Sequence, residues 1–91
     1  MTDKQQKLLR EYRYEYERCV RRVRELQLKQ SDLRLEELEC DRRGEIVTEE
    51  WRQEVNAVAA ELMAAYDART EAKTQLDELY GEIEWGAETS L

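Results

Sequence analysis

Cys40–Trp51 reads CDRRGEIVTEEW, and this stretch decides the fold. Arg42 and Arg43 suit the negative end of a helix dipole, and Gly44 supplies the left-handed residue that commonly closes a helix. Thr48 then caps a second helix, with Glu49 and Glu50 in its first turn, where negative charge is favoured. The connection, Gly44 to Val47, is about four residues long, which forces the two helices to run antiparallel.

Toward the N-terminus, Thr2-Asp3-Lys4-Gln5 fits a capping box, a Thr N-cap with Gln three positions later. From there to Arg43 nothing breaks a helix, and the chain has no proline. Leu9, Tyr12, Tyr16, Cys19, Val23, Leu26, Gln30, Leu33, Glu37 and Cys40 follow one another in steps of three and four, the heptad rhythm of a coiled-coil seam. Ser31-Asp32 is the one weak spot, because short polar side chains compete for helical hydrogen bonds. Toward the C-terminus the same rhythm runs through Trp51, Val55, Val58, Leu62, Ala65, Arg69, Ala72, Leu76, Leu79 and Ile83. Gly81 or Gly86 is expected to end the second helix. The pattern predicts one all-α domain over residues 1–91, a long antiparallel two-helix hairpin of coiled-coil type. Helix 1 covers about 3–43, the loop 44–47, helix 2 about 48–84, and residues 86–91 form a flexible tail. Each helix should be roughly 55–60 Å long.

With the bend near residue 45, facing residues should have numbers summing to roughly 90. That sets Lys29 opposite Glu61, Cys19 and Val23 opposite Ala72 and Arg69, and Tyr12 and Tyr16 near Leu76 and Leu79. Arg69, on the seam, either fixes the register or snorkels out past it. Cys19 and Cys40 lie about 31 Å apart on one continuous helix, which excludes a bond between them. Both fall on the seam and read as small buried hydrophobes.

Charged residues make up 41% of the chain and the net charge is −7. To Arg43 there are 12 Lys/Arg against 10 Asp/Glu; from Gly44 onward there are 3 against 12. Opposite signs on the two halves favour their packing together, and the surplus acidity must face solvent or a basic partner. No stretch approaches the ~20 apolar residues of a membrane span. The N-terminus carries no apolar core of a secretory signal, so a cytoplasmic location is expected.

Against this charged background, Ala57–Ala68 reads AVAAELMAAYDA, with only Glu61 and Asp67 charged. A helix covered on one side needs an apolar stripe of roughly 100°. Here small and apolar residues go nearly all the way round, as if the stretch were covered from more than one side. Ala60, Met63 and Ala64 fall off the seam. On helix 1, Leu28, Leu35 and Leu38 do the same, in the same loop-proximal half, and folding at the bend should set them beside Ala57–Ala68. These six residues are the candidate protein interface, through which two hairpins would pack into a four-helix bundle. The competing reading is a stutter that rotates one broad stripe around each helix.

Little else carries chemistry. The chain has no histidine, the usual general base and transition-metal ligand. No phosphate loop, metal-binding Cys pair or nucleophile motif appears. Acidic neighbours such as Glu36/Glu37 and Glu49/Glu50 point about 100° apart on a helix and do not converge. No catalytic residue, cofactor, metal or small-molecule substrate is expected. Arg18, Arg21, Arg22 and Arg24 form the one basic cluster, which nearby Glu17, Glu25 and the acidic second helix should neutralise, arguing against nucleic acid. Tyr12 and Tyr16 share the seam side, and Tyr14 points away.

Two local patterns resemble known recognition elements. Tyr80-Gly81-Glu82-Ile83-Glu84 resembles the Tyr-x-x-x-Asp/Glu export signal of WXG100-type proteins of type VII secretion, which are acidic helical hairpins of this length. The chain departs from that family at the bend: Trp51 follows it, and Arg52-Gln53 stands where the family has a glycine. Glu88-Thr89-Ser90-Leu91 resembles a class I PDZ ligand, which adds a strand to its receptor.

The expected function is that of a non-enzymatic protein-binding module: a small adaptor, chaperone-like or regulatory subunit that docks on a protein partner or on itself as a homodimer. An acidic inhibitor of phage type that mimics nucleic acid through the carboxylates of helix 2 is one alternative. A small secreted helical hairpin of the type VII kind is the other.

Overall fold

A computed structural model describes the backbone of residues 1–89 and the side chains of residues 1–86. Two helices of equal length, α1 (Asp3–Arg43) and α2 (Glu49–Thr89), fold back on each other into a rod 71 Å long and 18 Å by 16 Å across.

The capping box closes the start of α1. The Gln5 backbone N–H donates to Thr2 Oγ1 at 3.1 Å, and the Thr2 N–H donates to Gln5 Oε1 at 2.9 Å. The helix then passes through Ser31-Asp32 without interruption. At its far end Gly44 sits in the left-handed region, at φ 72 and ψ 22. Its N–H donates to the Asp41 carbonyl and that of Glu45 to the Cys40 carbonyl, the paired bonds that satisfy the last turn of a helix. Arg43 binds the Glu45 carboxylate at 3.3 Å across this corner, which raises the Arg43 pKa further. Thr48 stays outside α2 as its cap, and its hydroxyl accepts from the Trp51 N–H at 3.1 Å.

Among the described residues, the buried hydrophobic ones are Cys19, Val23, Leu26 and Leu33 on α1, and Val58, Leu62, Ala65, Ala72 and Leu79 on α2. Every one belongs to the two stripes of three- and four-residue steps, and no described polar residue is buried with them. Because the buried set keeps to one stripe along each helix, no stutter rotates the apolar face. Val23, Leu26, Leu62 and Ala65 form a compact central cluster, with Tyr66 packed against it.

Polar pairs flank this seam. Arg22 Nη2 reaches Glu61 at 2.9 Å and Lys29 Nζ reaches Glu54 at 3.9 Å; on the other flank, Gln27 Nε2 donates to the Tyr66 hydroxyl at 3.0 Å. The paired numbers sum to 83 on the first flank and 93 on the second, which centres the seam near 88. The expected Lys29–Glu61 pair is therefore not made. Side chains beside a seam meet diagonally, so each cation finds a carboxylate more than one turn nearer the bend than its level neighbour. All four charged groups are exposed, and each ion pair is worth at most about 1 kcal/mol.

α2 also differs from expectation at its C-terminal end. It does not end near residue 84: Gly81 and Gly86 lie inside it, and the helix reaches Thr89. Neither glycine takes a positive φ, so neither acts as a stop. A helical glycine costs only about 1 kcal/mol, and α2 is held on both sides of Gly81 by buried Leu79 and half-buried Ile83. Ser90, Leu91 and the side chains from Ala87 onward lie outside the described residues, and with them the resemblance carried by Glu88–Leu91.

Trp51 holds the bend end of the rod together. Its indole N–H donates to the Leu33 carbonyl of α1 at 2.9 Å, fixing the first turn of α2 against the neighbouring helix. Arg69 is half-buried, its guanidinium 5.1 Å from the centre of the Tyr66 ring.

Candidate protein-interaction surfaces

The six candidate interface residues each lie two positions from a residue of the seam: Leu28 and Leu35 after Leu26 and Leu33, Leu38 before Cys40, Ala60 and Ala64 after Val58 and Leu62, Met63 before Ala65. Two residues turn a helix through about 200°, so all six face away from the seam. Leu28, Leu38 and Met63 are 68%, 64% and 68% exposed, and Leu35, Ala60 and Ala64 are exposed as well.

The hairpin puts both trios in its bend-proximal half, as the sequence suggests. It does not put them side by side. Leu28, Leu35 and Leu38 lie on the outer back of α1, whereas Ala60, Met63 and Ala64 lie on the outer back of α2. With the seam between the helices, these backs are opposite faces of the rod. The structure therefore presents two surfaces.

The surfaces differ in shape and charge. Along the middle of the outer side of α1, at seven-residue intervals, stand Lys7, Tyr14, Arg21, Leu28 and Leu35, all large. Tyr14 is 72% exposed, and a shallow open groove of about 440 Å³ runs between it and Leu28, past Arg21 and Arg24. The corresponding row on α2 is Gln53, Ala60, Asp67, Thr74 and Gly81, mostly small. Within the basic cluster, Arg18 is held by Glu15 at 3.0 Å, and Arg22 by Glu61 and, at 3.7 Å, by Glu25. Arg21 and Arg24 join no ion pair among the described residues, and neither does Asp67. Arg21 is a functional candidate that composition alone does not distinguish from Arg18, Arg22 and Arg24. Its signal is the seven-residue spacing from Tyr14 and Leu28.

Both cysteines are free. Cys19 is buried, and burial, aided by the Glu15 carboxylate 3.8 Å from its Sγ, pushes its thiol pKa up, so it is held as an unreactive neutral group. Half-buried Cys40 accepts a contact from Arg43 Nη2 at 3.7 Å. Among the described residues, no group of three His, Cys, Asp or Glu is placed to hold a metal ion. No described helix is long and apolar enough to cross a membrane. No family model matches the chain, and neither a curated protein nor a solved structure was found to match it. The likeness of Tyr80–Glu84 to an export signal rests on sequence pattern alone.

Proposed function

We propose that this chain is a non-enzymatic protein-binding module, a coiled-coil hairpin that docks on protein partners, a second copy of itself included, through helix–helix packing. The observation that carries this reading is the pair of outward rows just described. In a hairpin whose core is confined to one seam, Leu28, Leu35, Leu38 and Met63 stand in water although nothing in the fold requires them there. Large apolar side chains grouped on a helix back mark an association surface. A long rod whose described grooves are open suits docking better than catalysis.

The rival reading, an acidic mimic of nucleic acid, is supported by Glu50, Asp67, Glu71, Asp77 and Glu78, which join no ion pair among the described residues. Capture of partners from the host lysate, followed by a salt titration, separates the two. A docking module keeps its partner from low to high salt and loses it on Leu35→Asp or Met63→Glu, each of which would bury an unpaired charge. A mimic loses affinity steeply with salt and is crippled by Glu→Gln changes on α2. Retention by the Leu35→Asp and Met63→Glu variants would overturn the docking reading.

A further inference from the structure

The two outer faces are complementary to each other. If one hairpin is moved sideways, without turning, until the back of its α1 meets the back of α2 of a second copy, facing residues keep the sum near 88 set by the flanking pairs. Arg21 then comes level with Asp67, Leu28 with Ala60, and Tyr14 with Thr74. A large side chain meets a small one at each of the three levels, and at one of them a guanidinium with no ion pair meets a carboxylate with none. We propose that this protein associates with copies of itself in this way, α1 of one copy seated on α2 of the next. The α1 face contributes Tyr14, Arg21 and Leu28, and the α2 face Thr74, Asp67 and Ala60; at the same offset Leu35 comes level with Gln53. The proposal rests on the docking reading and names its partner.

The symmetry of the contact has a consequence. Each copy uses two different faces, on opposite sides of the rod, so the contact is heterologous, and joining two copies leaves one face free at each end. Two hairpins make a four-helix unit, and further hairpins add to it side by side. A closed two-fold dimer would instead use the same face of both copies and stop at two.

Sedimentation equilibrium and light scattering across micromolar to millimolar protein test this, with circular dichroism to verify that each variant folds. The wild type should grow beyond a dimer as concentration rises. Leu28→Asp disables the α1 face and Ala60→Glu the α2 face, so each variant alone should be a monomer. Mixed in equal amounts, they should form a one-to-one dimer that grows no further, because one intact face of each kind remains. Arg21→Asp and Asp67→Arg should each weaken association about tenfold, and the double variant should recover it, since the swap restores an opposite-charge pair at the same level. A wild-type monomer at millimolar concentration would overturn the proposal, as would a Leu28→Asp variant that still dimerises or a mixture that fails to pair. If the wild type is monomeric and yet loses a lysate partner on Met63→Glu, stacking fails while the docking reading stands.

Discussion

At the residue scale, the two cysteines show how one stripe yields two environments. Cys19 is buried on the seam, and Cys40, near the bend, is half-buried. With a thiol reagent near neutral pH, Cys40 should react at least about tenfold faster than Cys19, because the thiolate is the reactive form and burial suppresses it at Cys19. Mass spectrometry of the labelled peptides reads this directly, and equal rates would contradict the buried placement of Cys19. The same shift has a pH signature. A thiol whose folded pKa is raised contributes stability that is fully present below its unfolded value, 9.0, and is lost as pH rises through the folded value. Thermal unfolding followed upward from pH 9 should therefore show a decline that Cys19→Ala reduces. Trp51 shows the limit of reading a residue from its spacing. The heptad places it on the seam, and only the folded chain reveals its indole N–H on the Leu33 carbonyl.

At the scale of the element, the three glycines divide by backbone conformation. Gly44 sits at φ 72 with nothing within 4 Å of where a Cβ would be, so substitution there meets conformational strain alone. Gly44→Ala should cost about 1 kcal/mol and lower the melting temperature. Gly81 also has free space around it but holds an ordinary helical conformation inside α2. Gly81→Ala should therefore stabilise the chain by about 0.5–1 kcal/mol. Chemical denaturation of the two variants should move the midpoint in opposite directions. A loss at Gly81 would mean that the helix does break there, as its sequence position invites one to expect.

At the scale of the whole molecule, a single seam two helices wide buries little, and part of it is alanine. Leu62, 6% exposed in the central cluster, has few neighbours to close the space it would leave. Leu62→Ala should cost about 2–3 kcal/mol, a large share of what a small domain possesses. Calorimetry should show a depressed or vanished transition; an unchanged one would mean that the core lies elsewhere.

The sequence by itself determined the helices, the stripe each buries, the bend between them and the outward phase of Leu28, Leu35, Leu38, Ala60, Met63 and Ala64. Caps, a left-handed glycine and a three-four rhythm act within a few residues, so they can be read without knowing what lies across the seam. The tertiary structure decided the rest: diagonal ion pairs in place of Lys29–Glu61, α2 running past Gly81, and two apolar trios on opposite faces of the rod. A repeating stripe reads much the same after a shift along the helix, so it leaves the axial offset open. Which residues share a surface depends on how two helices are offset and rotated against each other, and only the packed seam and the geometry of the Gly44 corner set those quantities.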